Sequence, residues 1–99
     1  MILTIPTLTN AVELSKEFQM RKPPPVPQEI QFLTPEDYAR LRSNGEYFWV
    51  KVDAVDPYVG IVQDDPVFSQ KFKKGDKIYF EFYNIFDIRS KYWLTNEGL

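Results

Sequence analysis

The stretch from Glu46 to Ile88 decides the fold, and it reads EYFWVKVDAVDPYVGIVQDDPVFSQKFKKGDKIYFEFYNIFDI. Apolar and polar residues alternate in its best segments, and turn-forming residues separate those segments. In the first segment Phe48, Val50 and Val52 point to one face, as the two-residue period of a strand requires. The pattern predicts a small, largely antiparallel β unit.

The later strands of this unit are separated by recognisable turns. Asp56-Pro57 predicts a turn before a strand from Tyr58 to Gln63, in which Gly60 marks a bulge or a close backbone approach. Lys73 to Asp76 predicts a hairpin-like turn, and Lys77 to Tyr83 is the clearest strand. Its core-facing residues are predicted to be Ile78, Phe80 and Phe82.

Two helices are predicted before the β unit. Asn10 to Lys22 has a capping residue at its start and cations in its last turn. Gln28 to Leu33 is expected to be extended. A second helix is predicted to begin with Thr34 as N-cap and Pro35 as its first residue. It is predicted to end at Asn44-Gly45, which tolerate the left-handed conformation.

These elements predict one α+β domain over residues 1–99. Residues 1–45 form its helical N-terminal part with a proline connector at 23–27, and residues 46–99 form the β unit and tail. We expect a small, strongly bent antiparallel sheet, or a partly open SH3-like barrel, with two short helices packed on it.

The proline segment has two interpretations. Arg21 to Pro27 has a cation and prolines at the spacing of a peptide ligand for an SH3-type groove, because such ligands adopt the polyproline II form. The alternative is a stiff connector between the first helix and the rest of the chain. We favour the connector, since short matches of this kind arise often by chance.

Composition and charge exclude several functions. The 99 residues include no cysteine and no histidine, so thiol and zinc–thiolate chemistry are excluded and the side chain best suited to proton transfer near neutral pH is missing. A metal site would be restricted to oxygen ligands. We expect no catalytic residue, metal or cofactor. The segment MILTIPTLTN predicts neither a signal peptide nor a membrane span, and we expect a cytoplasmic location.

The strongest candidate site is a set of outward-facing residues on the predicted sheet. If the first and last strands pair, these residues form a continuous aromatic surface, and Tyr and Trp dominate the energetics of protein interfaces. The alternative, which the two helices favour, is that one helix covers this face. The predicted partner-binding residues are Tyr47, Trp49, Lys51, Tyr79, Glu81, Tyr83 and Trp93, the last in a tail that would contact a partner or a second copy of the chain.

Two weaker constellations have ordinary explanations. Four carboxylates lie near predicted turns, where Asp is common because its side chain bonds the local backbone. A basic hairpin beside aromatic residues is typical of a single-strand binder, but the net charge of −2 favours a solvated hairpin tip. The carboxylates are Asp53, Asp56, Asp64 and Asp65, and the hairpin cations are Lys71, Lys73, Lys74 and Lys77.

A further pattern in the stretch from Glu46 to Ile88 joins an acidic residue, a Trp-Val-x-Val strand, a glycine, a polar-x-Pro turn and a Lys-x-Gly-Asp turn before the last strand. Its residues are Glu46, Phe48, Trp49, Val50, Val52, Gly60, Asp64, Pro66, Lys73, Gly75, Asp76, Phe80, Ile85 and Asp87. The pattern resembles the YegJ-like proteins, a bacterial family of unknown function. The resemblance implies a small β-rich fold and a bacterial or phage source, and it supplies no catalytic residue. Two positions depart from the family's usual residues, Asp64 where Asn is expected and Ile88 where Trp is expected.

The leading hypothesis is a non-enzymatic protein-interaction module. Its most concrete form is an inhibitor or immunity-type protein of bacterial or phage origin, with no membrane association. The alternative is a single-stranded nucleic-acid-binding protein that uses the hairpin from Lys71 to Tyr83. A small enzyme built on Asp and Tyr is a third class, but 99 residues leave little room for the deep pocket it needs. The partner's identity and the oligomeric state stay open.

Overall fold

The computed structural model describes residues 7–17, 23–65, 67 and 72–92. Two α-helices precede the five strands, and a short 3₁₀ helix lies between the last two strands. The elements are α1 (Ala11–Glu17), α2 (Pro27–Ile30), β1 (Tyr38–Ser43), β2 (Glu46–Val55), β3 (Tyr58–Val62), β4 (Lys77–Tyr79), a 3₁₀ helix (Phe82–Asn84) and β5 (Asp87–Arg89).

The five strands form one antiparallel sheet in the order β4-β3-β2-β1-β5. The sheet is open, with β4 and β5 at its edges. A register shift between Val52 and Ala54 makes a bulge in β2, opposite the predicted close approach at Gly60. The predicted fold class, a small α+β fold with an antiparallel sheet and two short helices, is confirmed.

The core lies on one face of the sheet. Strand residues two apart project from this face, and α2 covers it with Ile30, followed by Leu33 in the turn after the helix. The buried cluster consists of Ile30, Leu33, Ala39, Leu41, Phe48, Val50, Val52, Val62, Phe72, Ile78, Phe80 and Ile85.

The helix predicted from Thr34 to Gly45 is wrong, because this segment is a turn followed by β1. The Thr34 N–H donates to Asp37 Oδ2 (3.0 Å), and the Asp37 N–H donates back to the Thr34 carbonyl (3.1 Å). Glu36, with φ of +82°, occupies the position of a type II turn that requires a positive φ. The Thr-Pro-x-Asp pattern therefore closes a turn here and caps no helix.

Asn44 and Gly45 adopt the left-handed conformation, as predicted, but in a hairpin. Their φ angles are +52° and +78°, and Ser43 pairs with Glu46 across them. A two-residue loop with positive φ at both positions joins strands whose twist is right-handed. The loop therefore connects β1 to β2.

The segment Gln28–Leu33 is also different from the prediction, because it is helical at first. Pro27 is the first residue of α2, a position where its missing N–H costs nothing. The N–H groups of Glu29 and Ile30 donate to the Val26 carbonyl at 2.9 and 3.1 Å. Of the helix predicted over residues 10–22, Ala11–Glu17 is helical, and residues 18–22 lie outside the described part.

The last predicted strand is shorter than expected. β4 ends at Tyr79, and the Glu81 N–H donates to Asn84 Oδ1 (2.8 Å) as the chain enters the 3₁₀ helix. Phe82 is consequently 46% exposed and does not join the core with Phe80. The turns at Asp56-Pro57 and at residues 73–76 are confirmed.

Candidate binding surface on the sheet

The face of the sheet opposite the core, called the outer face below, is defined by the strand register. Lys51 lies opposite Tyr38 of β1 on one side and opposite Ile61 of β3 on the other, and Ile61 lies opposite Lys77. Residues paired in register project to the same face. The outer face consists of Tyr38, Arg40, Arg42, Tyr47, Trp49, Lys51, Val59, Ile61, Lys77, Tyr79, Asp87 and Arg89.

Tyr47 is the exposed aromatic residue at the centre of a cluster on β1 and β2, with 41% of its surface accessible. The guanidinium carbons of Arg40 and Arg42 lie 4.3 and 5.3 Å from the centre of its ring. The buried Phe86 ring packs edge-on against it at 5.2 Å. The Tyr47 ring therefore makes one apolar contact, with Phe86, and two cation–π contacts, with the arginines.

Trp49 and Lys51 are half-buried on the same strand. The Arg89 guanidinium lies 5.8 Å from the Trp49 ring centre, and the Lys51 ammonium lies 5.8 Å from that of Tyr38. Lys51 also approaches Glu36 at 4.0 Å. Both side chains are thus engaged within the molecule.

The remaining predicted site residues lie elsewhere. The strands that begin at Glu46 and at Lys77, whose pairing would have made the aromatic surface continuous, do not pair, because β3 lies between β2 and β4. Tyr79 is therefore on the outer face but at its far edge. Glu81 and Tyr83 lie at the 3₁₀ helix, where Tyr83 is 37% exposed and contacts Phe82 edge-on. Trp93 is outside the described residues.

In the described part of the chain, both helices pack away from the outer face. α2 packs on the core side through Ile30, so it cannot also cover the opposite side. α1 packs against the 3₁₀ helix, and the Asn84 side chain donates to the Thr9 carbonyl (3.2 Å) just before α1. Within the described residues, the expectation that a helix covers the outer face is therefore not met.

Three of the four carboxylates near turns bond backbone N–H groups or a lysine. Asp64 Oδ2 accepts from the Trp49 N–H at 2.8 Å, Asp65 Oδ1 accepts from the Lys74 N–H at 3.2 Å, and Asp53 pairs with a lysine. Across residues 7–17, 23–65, 67 and 72–92, no three carboxylates lie where they could hold a metal ion together.

The basic hairpin is partly neutralised. Lys77 forms an ion pair with Asp53 at 3.2 Å. Asp76 Oδ2 accepts from the backbone N–H of Lys73 at 3.0 Å, which places one carboxylate within the turn. Lys73 and Lys74 are exposed at the tip, and Lys71 lies outside the described residues. The cations of this hairpin do not form a continuous positive strip in the described chain.

The proline segment borders a groove of about 410 Å³ beside β5. Pro24 and Pro25 are half-buried there, and Pro27 belongs to α2. An SH3-type ligand would need Pro24 and Pro27 in one continuous polyproline II segment. The connector interpretation is therefore favoured. The groove is lined by Pro23, Pro24, Pro25, Val26, Glu29, Asp87, Ile88 and Arg89.

Arg40 and Arg42 are the site residues that sequence analysis missed. They alternate with Ala39, Leu41 and Ser43, all three of which are buried. That two-residue alternation directly before Asn-Gly was the signal that could have identified an outward-facing arginine pair.

Comparison of the chain with models of known protein families, with curated proteins and with solved structures finds no match. The YegJ-like resemblance accordingly stays a prediction. None of the helices in the described part is long and apolar enough to cross a membrane.

Proposed function

We propose that the protein is a non-enzymatic binding domain whose partner is another protein, held on the outer face around Tyr47. The observation that carries the proposal is the Arg40–Tyr47–Arg42 cluster, in which two guanidinium carbons lie 4.3 and 5.3 Å from the centre of an exposed aromatic ring. Tyr and Arg are enriched among the residues that contribute most to protein–protein affinity.

Rigidity supports the same proposal. Tyr47 is on the longest strand of the sheet, and the ring packs edge-on against the buried Phe86. An anchor that is already ordered loses little conformational entropy when a partner binds. We further propose that binding blocks the partner's activity, as an inhibitor or immunity-type protein of bacterial or phage origin would; the small size and mild acidity favour this.

The nucleic-acid alternative has weaker support. Single-strand binders combine a positive groove with stacking aromatics, but Lys77 is paired with Asp53 and the chain carries a net charge of −2. Catalysis has little support from the carboxylates near turns, since Asp64 and Asp65 bond backbone N–H groups and Asp53 pairs with Lys77.

The test is affinity capture by the tagged protein from bacterial lysate treated with nuclease, with mass spectrometry of what is retained. We expect one stoichiometric protein partner, lost with Tyr47→Ala and kept with Tyr92→Ala. Tyr92 is the matched control because it is 63% exposed and lies after β5, away from the cluster. Tyr79→Ala and Tyr83→Ala then establish whether the surface extends to β4 and the 3₁₀ helix.

Circular dichroism must first confirm that each variant is folded. A partner retained equally by folded Tyr47→Ala would contradict the assigned surface. If no protein is captured and the chain forms a salt-dependent complex with single-stranded oligonucleotides, the nucleic-acid alternative is supported instead.

A further inference from the structure

Arg40 and Arg42 project from the same face of β1, two residues apart, so their Cα atoms are separated by roughly 6.7 Å. Both guanidinium groups lie against the Tyr47 ring, at 4.3 and 5.3 Å from its centre. Two positive charges are thus held beside one aromatic side chain.

Neither arginine has a carboxylate partner in the described part of the chain, although the other cations of the outer face do. Ion pairs join Lys51 to Glu36 (4.0 Å), Lys77 to Asp53 (3.2 Å) and Arg89 to Asp87 (2.8 Å). The contrast singles out the arginine pair.

The Nε atom of Arg42 adds an independent observation. It is buried and has no hydrogen-bond acceptor. Buried donors are nearly always bonded, since an unsatisfied one loses its hydration without compensation. A movement of the side chain on binding that brings this donor to an acceptor of the bound molecule would supply the missing bond.

We infer that Arg40 and Arg42 form an anion site that binds a carboxylate of an acidic segment on the protein partner. A planar guanidinium matches a carboxylate through two parallel N–H···O bonds. The inference rests on the proposed function for the source of the carboxylate, and it specifies the chemistry of that partner.

A nucleic-acid phosphate backbone fits this surface less well. Polyphosphate binding requires a run of cations that neutralises successive phosphates. Here the cations adjoining the arginine pair are neutralised by carboxylates of the protein itself, so no such run continues beyond the pair in the described residues. The geometry suits one or two carboxylates.

The site is tested with the full chain and a blocked tetraglutamate peptide, followed by nitrogen–proton NMR of the arginine side chains. Tetraglutamine at the same ionic strength is the matched neutral probe. We expect saturable shifts at the Nε–H signals of Arg40 and Arg42 with tetraglutamate alone. Arg40→Gln and Arg42→Gln should each weaken binding by about tenfold or more, because each removes a charge-assisted hydrogen bond.

Lys77→Gln is the control for net charge, since it removes one cation from the same face but from an existing ion pair with Asp53. It should bind tetraglutamate as the unmodified chain does. Arg42→Lys keeps the charge but loses the planar fork, so binding weaker than that of the unmodified chain would support bidentate recognition. Shifts spread evenly over all cations, or unchanged binding by both glutamine variants, would overturn the inference.

Two further outcomes separate this inference from the proposed function. If a partner is captured and Arg40→Gln and Arg42→Gln retain it fully, the binding function stands and the carboxylate site is wrong. If tetraglutamate binds at the arginine pair but no protein is captured, the site stands and the proposed function fails. An oligothymidylate that binds there at least about tenfold more tightly than tetraglutamate would mean that the site recognises phosphate rather than carboxylate.

Discussion

The backbone of Gly60 lies against the Val50 side chain, so closely that a β-carbon at position 60 would be 2.6 Å from Val50 Cγ2. It would also lie 3.2 Å from Cε1 of the buried Phe80 ring. No side chain fits between β3 and this part of the core. The bulge in β2 lies opposite this contact, so the bend of the sheet and the missing side chain are found together.

Gly60→Ala should therefore lower the free energy of unfolding by about 1–3 kcal/mol, the usual cost of overpacking a core. Urea denaturation measures this. Adding Val50→Ala should not restore stability, because Val50 Cβ itself would lie 2.7 Å from the new carbon. Gly75→Ala is the comparison, since position 75 has open space and only its φ of +93° is strained. A Gly60→Ala protein as stable as the unmodified chain would contradict this packing.

The backbone of the edge strand β5 is bonded by the strand's own side chains, and removing these bonds should be costly. The Ile88 N–H donates to Asp87 Oδ1 (2.9 Å), and Arg89 Nη1 donates to the same oxygen (2.8 Å) and to the Ile88 carbonyl (2.9 Å). Asp87→Ala should lower the free energy of unfolding by about 1–3 kcal/mol. It should also promote self-association, because uncapped strand edges pair with other chains.

Sedimentation at several protein concentrations and urea denaturation test the Asp87 prediction. Asp53→Ala is the control, since Asp53 and Lys77 form a pair whose side chains are 40% and 41% exposed. Such a pair contributes about 0.5 kcal/mol or less. If both variants lose the same free energy of unfolding, the hydrogen bond from the Ile88 N–H to Asp87 contributes no more than an ordinary surface ion pair does.

The strands with strict alternation could be predicted from sequence, whereas β1 could not because its ends carry ambiguous signals. Thr34-Pro35 fits both a helix start and a type II turn, and Asn44-Gly45 fits both a helix end and a hairpin. Local residue preferences do not distinguish these pairs of structures. The decision comes from pairing with β2, a contact that only the folded chain makes.

The candidate surface was predictable only within one strand. The alternation in β2 correctly placed Tyr47 and Trp49 opposite the core. Which strands lie beside β2 depends on the connections between strands, and β3 occupies the position that had been expected for the last strand. Tyr79 therefore lies two strands away from β2. On the opposite side of β2, Trp49 and Tyr47 lie beside Arg40 and Arg42 of β1.

The turn before β1 contains a strained residue that substitution should relieve. Glu36 has φ of +82°, a conformation that costs an ordinary residue about 1–2 kcal/mol and glycine much less. Glycine also makes the unfolded chain more flexible, which offsets part of this gain. Glu36→Gly should therefore raise the free energy of unfolding by about 0.5 kcal/mol. The contact with Lys51 is 4.0 Å long and exposed, so its loss matters little. Glu36→Ala, which keeps the strain, should not be stabilising in the same urea titration.

Arg42 should contribute to binding at the expense of stability. Its buried Nε lacks an acceptor, which costs about 1–3 kcal/mol, while its contact with the Tyr47 ring returns about 0.5–1 kcal/mol. Arg42→Met should therefore raise the free energy of unfolding by about 0.5 kcal/mol or more and weaken tetraglutamate binding by about tenfold or more. Arg40→Met removes the closer ring contact, at 4.3 Å, so it should not be stabilising. Urea denaturation of both variants separates the two effects, and a destabilised Arg42→Met protein would mean that its guanidinium is satisfied within the molecule.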